Sequence, residues 1–237
     1  LWFCTLVSHA AERHLWDEGW RFALHPDDAP LQPDFKDDAW RLLDLPHDWA
    51  IEGDFYAQNP SGANGGALPG GIGWYRKHLA LHDSDAASRY VLHFDGAYMN
   101  TSVYVNGTLL GTRPYGFISF SYDITPHLNK QGDNVVAVKV DNSRQPNSRW
   151  YTGCGVYRHV YLSKSTDVRV AEWGVQAISE VKKGVGHVTL NTQIENFSGR
   201  SRRVTVRQKL WNKARQLVMQ TSKTCDVAVS GTTVKQQ

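Results

Sequence analysis

This chain has few of the residues that carry most recognisable chemistry. Its 237 residues include three cysteines, Cys4, Cys154 and Cys225. They form no CxxC pair, and an odd number so widely spread makes no disulfide framework. The ten histidines include no HExxH spacing, so a metal site is not expected. There is no GxSxG elbow and no phosphate-binding loop. Gly70-Gly-Ile-Gly73 and Gly153-Cys-Gly155 both lack the third glycine of a dinucleotide fingerprint, and both lead into strand-like sequence rather than a helix. They read as tight turns needing positive φ, and no cofactor is expected.

Charge of one sign is also scarce. The formal net charge is only +3, too weak to argue for nucleic acid as a partner. Lys182-Lys183 and the stretch 200–203 read as solvated turns. No apolar run approaches the ~20 residues of a membrane-spanning helix, so a membrane is not an expected partner either. The apolar start, Leu1 to Val7, is followed by Ser8-His-Ala10. Residues 1–11 read either as the tail of a secretory signal or as an N-terminal extension. The first alternative implies a secreted or periplasmic protein.

Aromatic residues and strand patterns are abundant. Nine Trp, ten Tyr and a 41% hydrophobic fraction suffice for a packed core. Alternation with a period of two recurs between short turns, as in a sandwich or barrel. Tyr90, Leu92 and Phe94 alternate, then Thr101, Val103 and Val105. Asn106-Gly107 follows as a type I′ hairpin signal, with the returning strand from Leu109-Leu110. Further runs are Ile118, Phe120 and Tyr122, then Val136, Val138 and Val140, then residues 156–162. Asp123 to Leu128 reads as a helical turn capped by Thr125, with Pro126 at its first position. Residues 37–41 read as another turn before a strand at Leu42-Leu43. Residues 59–73 read as one long loop. This pattern predicts an all-β jelly-roll sandwich over residues 12–165.

Beyond residue 165 the strands thin out: 168–170, 175–178, 188–194, 204–210, 217–219 and 227–229. Their spacing predicts an immunoglobulin-like sandwich over residues 166–237. Such a domain usually takes about 100 residues, so a truncated domain is expected. Its open edge would recruit a partner, and a homodimer through this domain is expected.

Several residues invite a chemical reading. Asp48, Glu52 and Asp54 cluster beside His47 and Trp49. Two carboxylates can serve a glycosidic bond if they flank it at about 5–10 Å, but such clusters are also ordinary turn residues. A binding role for Asp48, accepting hydrogen bonds from sugar hydroxyls, fits better. Cys154 has no base fixed near it, and a small residue at a bend explains it more simply than a nucleophile. Trp74, Arg76 and Tyr157 read as sheet residues, Arg76 with an acidic partner. The segment Arg149-Trp150-Tyr151 precedes a strand at a sheet end. Rings there can cover the apolar face of a pyranose while amide and guanidinium groups bind its hydroxyls. Asp48, Trp49, Arg149, Trp150 and Tyr151 are therefore the candidate carbohydrate-binding residues.

Four motifs occur together in order: Leu45-Pro-His-Asp-Trp49, Gly70-Gly-Ile-Gly-Trp-Tyr-Arg-Lys77, Phe94-Asp-Gly-Ala-Tyr-Met-Asn-Thr-Ser-Val-Tyr-Val-Asn-Gly107, and Asn147-Ser-Arg-Trp-Tyr-Thr-Gly-Cys-Gly-Val-Tyr-Arg-His-Val160. They resemble the N-terminal part of glycoside hydrolase family 2, most closely its secreted bacterial β-galactosidases. The resemblance covers about residues 12–163, with the start of the following immunoglobulin-like domain beyond it. It implies a retaining exo-β-glycosidase whose two catalytic glutamates lie on a C-terminal (β/α)8 barrel. This stretch alone would then be inactive, with no catalytic residue of its own. It would pack on the barrel and help wall the sugar subsite, Asp48 being the residue that matches the family motif. Some members carry an acid just before the position of Trp150 that touches a sodium ion. Ser148 and Arg149 stand here instead, so no ion site is carried over. The other readings are a stand-alone carbohydrate-binding module, a ligand-free structural domain, and a parent enzyme of β-glucuronidase or β-mannosidase type.

Overall fold

The computed structural model describes residues 12–26, 30–82 and 88–236. The stretch 1–11, with its signal-or-extension reading and Cys4, lies outside them. Chain contacts group 13–164 as one compact unit and place 165–236 in a second. Among the described residues the structure is all-β, and its helical content is limited to single 3-10 turns.

Among the described residues, ten strands build the first unit. They are β1 (Glu12–Leu15), β2 (Trp20–Leu24), β3 (Arg41–Leu43), β4 (Gly71–Leu81), β5 (Arg89–Phe94), β6 (Thr101–Val105), β7 (Thr108–Arg113), β8 (Phe120–Asp123), β9 (Gly132–Asn142) and β10 (Val160–Ser165). One sheet runs β3-β2-β4-β9-β6-β7 and the other β1-β10-β5-β8. All pairings in the six-stranded sheet are antiparallel. The core contains Tyr75, Val103, Val105, Val136, Val138 and Val140 from that sheet, with Leu92, Phe94, Phe120 and Val160 from the other. Phe94 and Phe120 stack with centroids 4.8 Å apart. Burying each such side chain contributes roughly 1.5–3 kcal/mol. The β6–β7 hairpin turns at Asn106 and Gly107, with φ of 48° and 82°, as a type I′ turn requires.

The alternation of β5 suggests one wet face, yet Tyr90 through Phe94 are all buried. β4 is similar: Trp74, Tyr75 and Arg76 are all buried. Arg76 is fully enclosed. Its Nε donates to Asp37 Oδ2 at 2.8 Å, and its terminal nitrogens donate to the carbonyls of Pro30 and Gln32. Burial alone would push the Asp37 carboxyl up. The bond and charge of Arg76, with His78 nearby, outweigh it and hold the carboxyl below its usual range. A buried charge survives only when paired in this way.

Several expectations shift. Thr125 does not cap the turn Thr125–His127: Ile124 holds that position without a side-chain bond. Asp123 Oδ1 instead accepts the Thr125 N–H at 3.0 Å, because the Thr125 hydroxyl is engaged by the Tyr90 N–H. Ile118 lies outside β8 and is exposed. Residues 156–159 precede β10 rather than belonging to it. Gly71 and Gly73 belong to β4 rather than to the loop before it. The preceding loop is folded on itself: Ser61 Oγ donates to the Leu68 carbonyl and accepts the Leu68 N–H.

The second unit contains β11 (Val168–Lys182), β12 (Val185–Asn196), β13 (Arg202–Trp211), β14 (Leu217–Val227) and β15 (Thr232–Gln236). They form a three-stranded sheet β11-β12-β15 and a two-stranded sheet β13-β14. Ile194, Val227 and Val234 make the small core between them, with Val204 and Val206 against it. The expected strands 168–170 and 175–178 are one strand, β11, interrupted by a register shift between Val170 and Val175. β15 has no strong period-two signal and was not expected. Arg202 and Arg203 open β13 rather than sitting in a turn.

Candidate functional site

Asp48 lies between the buried His47 and the 3-10 turn Ala50–Glu52. Two backbone bonds tie its neighbours to the Gly-Cys-Gly bend: His47 N to Val156 O at 2.9 Å and Trp49 N to Cys154 O at 3.1 Å. The Asp48 side chain bridges the same two segments. Oδ1 accepts the N–H groups of Ala50 and Cys154, each at 3.0 Å. Oδ2 accepts the Tyr151 hydroxyl. Burial pushes the Tyr151 phenol upward, and its hydrogen bond to the Asp48 carboxylate adds to the rise.

The bend needs both glycines. Gly153 and Gly155 have φ of 85° and 124°, a region that costs any other residue. A Cβ on Gly155 would sit 2.4 Å from the Tyr75 hydroxyl and 2.7 Å from the His47 carbonyl. Cys154 between them is buried. Burial pushes its thiol up to about 12, against a smaller opposite effect of the Asn142 hydrogen bond. A thiol so protonated is no nucleophile, and the structure supports the bend reading.

Asn142 anchors the polar loop that follows β9. It is 1% exposed. Its Nδ2 donates to Gly153 O at 3.1 Å and to Cys154 Sγ at 2.9 Å, and its Oδ1 accepts Asn147 Nδ2 at 2.6 Å. The sequence reads Asn142 to Ser148 as a solvent-facing polar stretch, and the structure corrects this for Asn142, which is enclosed. The signal was there: it continues the core-facing series Val136, Val138, Val140, where a polar residue needs a partner.

The five candidate residues divide. Asp48 and Tyr151 touch. Trp150 is 63% exposed on the same loop, and Arg149 beside it is also exposed. Trp49 is different: it is 3% exposed, stacks on Phe22 at 5.9 Å, and donates Nε1–H to Gly70 O at 3.2 Å. It is a core residue pinning the Gly-rich loop, not a ring offered to ligand. Of the carboxylate cluster, Glu52 is held by both terminal nitrogens of Arg41, at 2.6 and 2.7 Å. That bond leads the effects holding the Glu52 carboxyl below its usual range. His47 and Tyr75, also missed, lie behind the site. His47 Nδ1 and Tyr75 Oη are 2.8 Å apart, and burial holds the imidazole pKa down despite Glu52.

The recess between Pro69, Trp150, Tyr151 and Cys154 offers about 10 Å³, roughly room for one water. A recess of this size cannot enclose a pyranose by itself.

Residues 70–172 match the family described as the glycosyl hydrolase 2 galactose-binding domain-like family. A β-galactosidase of Bacteroides ovatus is 52% identical over 203 residues, covering 85% of this chain and 24% of that protein. A putative β-glucuronidase of Formosa agariphila is 42% identical over 162 residues, covering 67% of this chain and 16% of that protein. Among solved structures, a glycosyl hydrolase family 2 member from Bacteroides cellulosilyticus superposes with a TM-score of 0.88 at 28% identity, covering 94% of this chain and 30% of its own. The chain thus spans about a quarter or less of the curated relatives named. It belongs to glycoside hydrolase family 2, whose galactose-binding-like domain it carries.

Proposed function

We propose that this chain is the non-catalytic N-terminal part of a retaining exo-β-glycosidase acting on terminal β-galactosides. Asp48 would line the non-reducing-end sugar subsite, with Tyr151 fixing its carboxylate and Trp150 and Arg149 at the rim. The observation that carries this reading is the Asp48 carboxylate, held by three donors on one wall of a site too shallow to close. A carboxylate oriented in advance accepts sugar hydroxyls without reordering. The two carboxylates of a retaining mechanism would come from a (β/α)8 barrel in the same polypeptide, and this chain alone would be inactive. The B. ovatus β-galactosidase supports the choice of sugar.

A glucuronidase is the second reading. It is supported by the F. agariphila relative and by the exposed Arg149, a cation able to meet a uronate. Assaying the full-length protein on aryl β-galactoside, β-glucuronide and β-mannoside separates them. Preference for the galactoside is expected, and no turnover of any of the three sinks the enzyme reading.

A secreted or periplasmic location belongs to the same proposal, supported by the apolar start of the chain. Cell fractionation tests it, and activity confined to the cytoplasm would reject it. A homodimer through the second unit is likewise proposed, supported by the open edges of the two-stranded sheet β13-β14. Light scattering reads it directly.

A further inference from the structure

The second unit is chemically one-sided. Residues 165–237 carry twelve Lys and Arg against five Asp and Glu. Between Phe197 and Cys225 there are eight basic residues and no acidic one. That stretch is the β13–β14 hairpin and its flanks.

The register sorts these residues by face. Val204 pairs with Cys225, Val206 with Lys223 and Gln208 with Thr221. This face turns inward: Val204 and Val206 meet the small core, and Gln208 Nε2 donates to Thr192 Oγ1 on β12 at 2.7 Å. The opposite face therefore presents Arg203, Thr205, Arg207 and Lys209 from β13, with Ser222 and Thr224 from β14, all exposed. Thr205 and Thr224 touch through their hydroxyls at 2.9 Å, which fixes their shared side. Arg203, Arg207 and Lys209 make no ion pair among the described residues. The single acid on this face, Asp226, lies at its end opposite Arg203.

We propose that this face binds an anionic polysaccharide, an extended glycan bearing carboxylate or sulfate groups. The proposal goes beyond the Asp48 site and uses none of its residues. Same-face positions on a strand repeat about every 7 Å, so the three cations form a row and not a point. Guanidinium groups bind carboxylate and sulfate oxygens in pairs. The hydroxyls between them suit the neutral hydroxyls of a sugar chain. At one end Trp211 is exposed, its ring 6.0 Å from Lys209 Nζ, and supplies an apolar face for a sugar ring. The middle of the surface has no apolar centre, which a stable protein interface would need. A glycan therefore fits it better than an acidic protein.

Affinity electrophoresis of the full-length protein tests this, using gels loaded with dextran sulfate, polygalacturonate or neutral dextran, and duplex DNA in a fourth. Retardation by one or both anionic glycans is expected, none by neutral dextran, and weakening as salt rises. Comparing the first two gels tells sulfate from carboxylate. Arg203→Ser combined with Arg207→Ser and Lys209→Gln should weaken retardation about tenfold, since exposed charge contacts are worth about 0.2–1 kcal/mol each. A control, Lys182→Ser with Lys183→Ser, should leave it unchanged, and thermal melting checks that both variants fold. No retardation by either anionic glycan, retardation only by DNA, or equal loss in the control would overturn the proposal. Hydrolysis of a small aryl glycoside should be unchanged in the triple variant. A protein that binds these glycans but turns over no glycoside would refute only the enzyme reading.

Discussion

Tyr151 donates its hydroxyl hydrogen to Asp48 Oδ2 across 103 residues of sequence. The bond closes the loop 142–154 over the segment that follows the Leu45–Pro46 peptide. Behind it lie the Asp48 bond to the Cys154 N–H and the two backbone bonds that flank it. The carboxylate thus has a fixed direction before any ligand arrives, although its two partner segments come from opposite ends of the domain sequence.

Removing the two partners should not cost the same. Tyr151→Phe deletes one hydrogen bond and leaves Asp48 Oδ2 to water, a loss of about 1 kcal/mol. Asp48→Ala strands the N–H groups of Ala50 and Cys154 as well, and about 1–3 kcal/mol is expected. Urea unfolding of the two variants should give that order, and the reverse order would contradict the bonding described.

The Gly-Cys-Gly bend makes a sharper stability prediction. Gly155→Ala would drive a Cβ to within 2.4 Å of the Tyr75 hydroxyl at a φ of 124°, and loss of soluble protein is expected. Gly184→Ala, also at positive φ but with nothing within 4 Å, should cost only about 1 kcal/mol. Expression yield and melting temperature separate the two.

Cys154 gives a pH prediction. Its thiol is held up to about 12, whereas an unfolded cysteine ionises near 8.5. Iodoacetamide at about pH 9 should therefore spare Cys154 in the folded protein and modify it in the urea-unfolded chain. Because the folded state keeps a proton that the unfolded state releases, Cys154 makes stability fall as pH rises from the ordinary thiol range toward 12. Peptide mapping after labelling reads the first effect directly.

The two tryptophans of the candidate set should behave in opposite ways. Trp49→Ala removes a core ring, and about 3–5 kcal/mol is expected. Trp150→Ala removes an exposed ring and should stay within about 0.5 kcal/mol. A drop in sugar affinity without a drop in stability is the expected signature of Trp150.

That division was not visible in the sequence. Trp49 and Trp150 both follow polar residues in irregular segments. Trp49 is inside because Phe22, Gly70, Gly73 and Gly155 meet its ring from segments distant in sequence. Local features were legible where the cause was local. Asn106-Gly107 predicts its own turn because both residues must take positive φ. The buried pair of Arg76 was also legible, since a charge within an aromatic strand needs an acid, though which acid was not. Asp37 is 39 residues away. Features set by packing on both faces were lost: β5 alternates in sequence yet is enclosed from Tyr90 to Phe94, and β15 is polar enough to read as loop. In the second unit, the bulge in β11 divides one strand into two apparent ones.

The central claim is that the Asp48 carboxylate, besides bracing the two segments it bridges, forms part of the proposed sugar subsite. It is tested most directly by Asp48→Asn in the full-length protein, with kcat/KM measured on an aryl β-galactoside alongside the melting temperature. The amide oxygen can keep the backbone bonds but not the charge. A fall in kcat/KM of about 30-fold, equivalent to about 2 kcal/mol, with melting little changed is the predicted result. Unaltered kcat/KM, or a loss of activity that follows a loss of stability, would contradict it.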